Sequence, residues 1–192
     1  MKKFSSQAGF TLIETLIAIF LLMLTVGGLL TLAADGYFQV RYAKNQIIAN
    51  SLLQESLEYI RNDRDTSFQQ GVTWSDWVAK YSGDHGCFDA NGCTVDPYTT
   101  IATDHVIACA SDSCPAFTFY PTFGFYGYAN TTYPSLYNQS AGSPYLTTYV
   151  RTITMQQASD PNQLTVTATM KWLNGNTSTS SSQSILLTNW HD

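Results

Sequence analysis

The sequence predicts an α+β protein. One long N-terminal helix, its first half apolar enough to cross a membrane, packs its second half on a small antiparallel β-sheet. Three observations predict this. A charge-free run covers the 20 residues from Thr15 to Ala34, an amphipathic pattern follows it to about Arg64, and period-two alternation fills the C-terminal part. A chain of 192 residues suffices for one domain or a small domain plus an appendage. Hydrophobic residues make up 44%, enough for a packed core, while charged residues at 12% are sparse for a soluble domain. With 9 Lys+Arg against 14 Asp+Glu and a pI near 4.9, the chain lacks the basic face of a general nucleic-acid binder. An aromatic content of 14% excludes a disordered acidic protein. The length and the lack of sustained heptads exclude a multi-domain enzyme and a coiled coil.

As a helix rising 1.5 Å per residue, Thr15–Ala34 spans ~30 Å, the thickness of a bilayer's hydrocarbon core. A signal peptide or a buried helix is the alternative. A signal peptide has a shorter apolar run before a small-residue cleavage site. The run here is longer, although Ala33-Ala34 imitates such a site. Glu14 sits at the edge of the run, where a carboxylate at membrane depth costs ~2.5–3.5 kcal/mol and marks a function. The nearby cations are Lys2 and Lys3 in the stub MKKFSSQAG, which also hold the N-terminus on the cytoplasmic side.

The segment Gly9-Phe10-Thr11-Leu12-Ile13-Glu14 resembles the processing motif of type IV pilins and of the pseudopilins of type II secretion. In that family a short basic leader ends in Gly. A membrane peptidase cuts after it, and the new N-terminal residue, commonly Phe, is N-methylated. The resemblance therefore implies a leader of residues 1–9, processing at Gly9 and Phe10, and assembly through Phe10 and Glu14, the acid being fifth after the cut. Cleavage removes both lysines, so side-chain charge becomes 7 − 14 = −7. In a filament, Glu14 of one subunit is then expected to pair with the Phe10 amine of a neighbour. The family commonly has a Pro in the second half of the apolar helix. Here Gly27-Gly28 lies nearby instead, suited to local melting or to close helix packing.

The helical pattern continues from Gly36 to about Arg64, with Tyr42, Ala49, Leu53, Leu57 and Ile60 on one face. With the apolar block (10–34) and the amphipathic half (35–64) joined, the helix runs to some 50 residues, with Asp35-Gly36 as a candidate kink. The resemblance implies the same pilin-like layout. Residues 65–147 read as an irregular Cys- and aromatic-rich region with a short helix inside Gly71–Tyr81. The segment from Phe117 to Tyr149, which runs two residues past it, holds eleven aromatic residues and reads as an ordered loop region. Residues 148–192 read as an antiparallel β-meander. Thr148–Met155 alternates, Asp160-Pro161-Asn162 turns, and Leu164–Trp172 alternates strictly. Asn174-Gly175 signals a hairpin, and a Ser/Thr-rich stretch 177–184 leads into a third strand at Ile185–Trp190.

Cys87, Cys93, Cys109 and Cys114 are an even count in a domain expected outside the cytoplasm, which suggests two disulfides. Local pairing, Cys87 with Cys93 and Cys109 with Cys114, is favoured by short loops with turn residues; a nested pairing competes. Zinc with His85 or His105 is disfavoured because the spacings are not those of a C-x2-C knuckle. Asp89, Asn91 and Asp96 resemble a fragment of a calcium loop, but a ligand position and the closing Glu are missing, and an Asx-rich turn is the simpler reading. No cofactor is expected. His85, His105 and His191 lie in no catalytic motif, Asp63 and Asp65 read as solvated, and no enzyme activity is expected. The aromatic rings could stack on bases, but no Lys or Arg occurs between Lys80 and Arg151, so no nucleic-acid partner is expected. The partners implied are the prepilin peptidase/N-methyltransferase, other pilin subunits and the cytoplasmic membrane. The location implied is single-pass in that membrane, N-terminus cytoplasmic before processing, and afterwards an extracellular pilus or periplasmic pseudopilus.

Overall fold

A computed structural model describes Gly9 and residues 11–83, 86–98, 105–110, 113–128 and 143–190. The leader residues 1–8, Phe10, His85 and His191 lie outside the described residues. The chain divides into two compact units, Met1–Lys44 and Asn45–Asp192, and one helix contributes to both. That helix, α1, runs unbroken from Leu12 to Gln69, 58 residues, through Gly27-Gly28 and Asp35-Gly36.

Helix α1 extends five residues past the expected end at Arg64, and Gly71 explains where it stops. Gly71 adopts a positive φ of 79°. Its N–H donates to the Phe68 carbonyl and the Val72 N–H to the Ser67 carbonyl, each at 3.0 Å. This pair of bonds is a Schellman closure, which needs a left-handed residue and so favours Gly. A second helix, α2 (Trp74–Lys80), follows; Thr73 caps it by accepting the Asp76 N–H at 3.2 Å.

The C-terminal unit is built round one antiparallel sheet. Strands β5 (Tyr145–Gln157), β6 (Gln163–Asn174) and β7 (Thr177–Thr188) form the meander. The β6–β7 ladder runs from Gln163 opposite Thr188 to Asn174 opposite Thr177. Asn174 thus closes the ladder, and the two-residue turn is Gly175-Asn176. The stretch 177–184 is strand, not a lead-in. It lacks apolar alternation, and hydroxyls take over the inner face: Ser181 Oγ bonds Asn50 Oδ1 at 2.9 Å.

The region 65–147 is less irregular than its composition suggests. It contains β1 (Cys93–Val95), β2 (Val106–Ala108), β3 (Ala116–Tyr120) and β4 (Phe125–Gly127). The far edge of β5 pairs with β3 from Tyr145 to Val150 and with β1 at Ile153, giving a seven-stranded sheet among the described residues. Segments of three to five residues are too short to show a period, so pairing with β5 rather than local pattern makes them strands.

The core lies between the inner face of the sheet and α1. Ala49, Leu52, Leu53, Leu57, Ile60 and Phe68 meet Ile153, Met155, Leu164, Val166, Ala168 and Met170. Tyr42 belongs to the same periodic stripe yet is exposed, because the packed unit begins at Asn45. Fully buried in this core is one cation, Arg151 of β5. It donates to the Leu52 carbonyl of α1 at 2.8 Å, to the Val95 carbonyl of β1 at 2.5 Å and to Thr94 Oγ1 at 3.3 Å. Glu55 Oε2 stands 3.8 Å away, and the guanidinium lies over the Phe117 ring, 4.9 Å from its centroid.

Truncating Arg151 leaves two buried carbonyls without their donor and Glu55 without its counter-charge. Arg151→Met is expected to destabilise the C-terminal unit by about 3–5 kcal/mol. Arg151→Lys should recover only part of this, because an ammonium cannot present the same planar fork. Urea unfolding followed by tryptophan fluorescence measures both; equal midpoints for Arg151→Met and wild type would remove Arg151 from this role.

Candidate assembly site

The N-terminal site begins with the helix cap. Thr11 accepts at its carbonyl from the N–H groups of Glu14 at 3.1 Å and Thr15 at 3.3 Å. Its Oγ1 stands 3.4 Å from the Glu14 N–H. Thr11 and Glu14 therefore occupy the first and last positions of a capping-box pattern, T-x-x-E ahead of an apolar run. Reading Glu14 only as a charge awaiting a partner missed this. The carboxylate lies in the first turn, where the unpaired N–H groups and the helix dipole favour a negative charge. The signal was present as Thr11-Leu12-Ile13-Glu14. Gly9 is exposed and described; Phe10, the other processing residue, lies outside the described residues.

Beyond the cap, α1 presents apolar side chains that are exposed among the described residues. Leu12, Ile13, Leu16, Ile17, Phe20, Leu24, Leu29 and Leu32 are all more than half exposed. This helix is long and apolar enough to cross a membrane. Its polar atoms are settled internally. Thr15, Thr25 and Thr31 donate to the carbonyls of Leu12, Leu22 and Gly28 at 2.8–2.9 Å, so no hydroxyl proton needs water within the span. Neither Gly27 nor Gly28 has anything within 4 Å of where a Cβ would stand. Among the described residues no contact requires glycine there.

Residues 4–30 match the family model of the prokaryotic N-terminal methylation motif. The chain carries the type IV pilin signature. The α+β layout, a long N-terminal helix with an apolar stretch and an antiparallel sheet, is pilin-like. The signature supports a pilin-like or pseudopilin protein, and the apolar helix is consistent with membrane anchoring. The family is structural rather than enzymatic. No curated protein and no solved structure matches the chain.

The remaining candidate residues lie in the C-terminal unit of this pilin-like chain. Cys87 is joined to Cys93 and Cys109 to Cys114. The bridges are neighbours: Cys93 opposes Ala108 across the β1–β2 ladder, and Cys114 Sγ lies 3.7 Å from the Cys93 carbonyl oxygen. Gly92, with φ 69°, precedes Cys93; a Cβ there would stand 2.6 Å from the Ile153 carbonyl oxygen, so glycine lets β1 reach β5. Asp89 lies in the turn between Gly86 and Gly92, its N–H donating to the Gly86 carbonyl. Asp96 is buried past the end of β1 and accepts the Tyr98 N–H at 3.1 Å. Among the described residues no three His, Cys, Asp or Glu side chains converge on a point that could hold a metal ion. His105 places Nδ1 3.1 Å from the Asp96 carbonyl oxygen.

Asp63 and Asp65 are not simply solvated. Asp63 accepts from Trp77 Nε1 at 2.9 Å, Lys80 Nζ at 2.5 Å and Tyr81 Oη at 2.8 Å, docking α2 against α1. Asp65 accepts from Arg64 at 2.8 Å and from Trp190 Nε1 at 3.3 Å. Apart from the adjacent Arg64, their partners lie 14 or more residues along the sequence, so a local charge pattern could not reveal them. The aromatic segment divides by position. Phe117, Tyr120, Tyr128 and Tyr149 are buried, whereas Phe123 and Tyr145 are exposed.

Several phenols are held neutral. Burial, then the hydrogen bond to Glu55 and the charges of Glu55 and Asp96, pushes Tyr98 up to about 12 against the pull of Arg151. Burial, helped by Tyr126 and Tyr145, pushes Tyr149 up to about 12. Burial and the Asp63 carboxylate also raise Tyr81, well above the ordinary phenol value, and Tyr59. The folded unit therefore binds more protons than the unfolded chain above the ordinary phenol value of 10.0. Stability from these groups is complete below pH 10.0 and is lost as pH rises through about 12. Tyrosinate absorbance and circular dichroism, followed together in alkaline titration, should show these tyrosines ionising only as the fold is lost. Full ionisation of all tyrosines near pH 10 with the fold intact would contradict this.

Proposed function

We propose that the chain is a structural subunit, a minor pilin, of a type IV pilus-like filament. It is made as a prepilin, cut after Gly9 by a prepilin peptidase, N-methylated at Phe10 and assembled with other pilin subunits through its N-terminal helix. The observation that carries this reading is the methylation motif at 4–30 leading into a helix whose apolar residues stand exposed among the described residues. On this reading residues 1–9 are leader and 10–34 the membrane and assembly segment. Residues 35–64 are the amphipathic half, 65–147 the Cys- and aromatic-rich part of the head and 148–192 its meander. The subunit waits in the cytoplasmic membrane, its N-terminus cytoplasmic before processing, and leaves it for an extracellular filament.

A pseudopilin of a secretion system is the second reading, since the motif is common to both. A minor pilin is found at low abundance in sheared surface filaments, whereas a pseudopilin is absent from them.

Processing is tested at the N-terminus. The mature chain is expected to begin with N-methylated Phe10, and replacing Gly9 with a bulky residue should leave precursor in the membrane. N-terminal mass spectrometry that found cleavage after Ala34 would sink the pilin reading.

Glu14 has two candidate roles, a cap for its own helix and a counter-charge for a neighbour's Phe10 amine, and Glu14→Gln separates them. Glutamine keeps the capping-box side chain and loses the charge. Glu14→Gln and Glu14→Lys should both insert, be cleaved at Phe10 and fold, yet enter filaments less well than wild type. The Lys change should be the more severe, because it sets two cations together in low dielectric. The sheared-filament fraction relative to the membrane pool is the measure; wild-type incorporation of cleaved Glu14→Lys would show that the carboxylate has no part in assembly.

A further inference from the structure

Directly after the charge-free span, α1 carries a different surface. Tyr37, Phe38, Val40 and Tyr42 are 62%, 65%, 68% and 42% exposed. The Tyr37 and Phe38 rings meet edge-on at 6.2 Å, and the Arg41 guanidinium lies 5.8 Å from the Tyr37 centroid. Lys44 follows one turn after Val40. At roughly 100° per residue, the four apolar and aromatic side chains sweep about 200° of the helix circumference. A helix packed on a single protein face needs a stripe of about half that width. The environment that fits this sector is one that surrounds the helix, as a bilayer interface does.

Position along the axis points the same way. If Thr15–Ala34 fills the hydrocarbon core, the headgroup layer beyond it is ~5–8 Å deep. Tyr37 lies about 5 Å past Ala34 and Phe38 about 6 Å, inside that layer. Arg41 lies about 10 Å past it and can reach back along its stem, as long cationic side chains do at interfaces. Between Asp35 and Lys44 the charge is +1 (Arg41 and Lys44 against Asp35) in a chain whose total is −5. Amphipathic rings with adjacent cations are what a phospholipid headgroup layer retains. The distance from Leu12 to Tyr37 is about 38 Å, so both ends of the apolar helix can occupy headgroup layers at once.

We infer that Tyr37, Phe38, Arg41 and Tyr42 form an interfacial belt that binds phospholipid headgroups on the non-cytoplasmic side. The belt sets the depth of the unassembled subunit, and thereby holds the Gly9–Phe10 bond at the cytoplasmic interface. The inference rests on the reading of α1 as a membrane helix.

The test uses the full chain carrying Phe38→Trp, reconstituted in vesicles of phosphatidylcholine and phosphatidylglycerol. The lipids carry bromine either just below the headgroup or near the chain ends. The native tryptophans, Trp74, Trp77, Trp172 and Trp190, all lie in the C-terminal unit, and the parent chain supplies their background. The extra fluorescence of Phe38→Trp is expected to be quenched roughly twofold more by shallow than by deep bromine. Adding Tyr37→Ser, Arg41→Gln and Tyr42→Ser should weaken the shallow quenching. Deep quenching as strong as shallow, no quenching of the extra signal, or indifference to the added changes would each overturn the belt. The N-terminus of the same chain, expressed in its own cells, keeps the two readings apart. Cleavage at Phe10 with no extra quenching leaves the pilin reading intact and removes the belt alone.

Discussion

A guanidinium without access to water sits where helix, first strand and central strand of the C-terminal unit meet. Arg151 can be buried there only because its donors have acceptors: the Leu52 and Val95 carbonyls and Thr94 Oγ1, with Glu55 as distant counter-charge. Each acceptor belongs to a different stretch of chain from Arg151 itself. A shift of α1 along the sheet, or of β1 along β5, would strand a buried charge, a cost of several kcal/mol. The apolar contacts around it, such as Leu53 against Ile153, are compatible with several registers. The fork of Arg151 is compatible with one.

The same constraint explains the corner beside it. Val95 can offer its carbonyl only if β1 lies close against β5, and Gly92 makes that approach sterically possible. The bridges Cys87–Cys93 and Cys109–Cys114 then hold the ends of two three-residue strands that have few ladder bonds of their own. Short closed loops restrict the unfolded chain by a couple of kcal/mol each on the chain-entropy account. On the other flank Asp63 performs a comparable task with hydrogen bonds, gathering Trp77, Lys80 and Tyr81 of the α2 segment onto α1.

One helix thus lives under two sets of rules. From Asn45 to Gln69 it obeys those of a soluble core, with a buried stripe, a Schellman closure and polar residues tied to the sheet. From Leu12 to Ala34 its composition suits a nonpolar medium, being apolar enough to cross a membrane. Its threonines bond their own backbone, Glu14 stands at the capped end, and its apolar side chains are exposed among the described residues. A helix lets these regimes meet without a break because its backbone bonds close locally in water and lipid alike.

Local signals were enough for whatever depends on local physics. The charge-free span, the methylation motif, the strict alternation of Leu164–Trp172 and the even cysteine count can each be read without a partner in view. The helix end was legible too, in Gly71, although the apolar stripe alone suggested Arg64. The motif at Gly9–Glu14 was legible as chemistry, and the cap geometry of Thr11 was present in the same six residues. Tertiary structure decided what depends on distant partners. The Ser/Thr run 177–184 is strand because β6 offers a ladder to it, and β1–β4 are strands because β5 does. Arg151 and Asp63 look like ordinary surface charges in sequence. Their roles come from acceptors and donors up to 99 residues away, brought within hydrogen-bond distance only when the helix settles on the sheet.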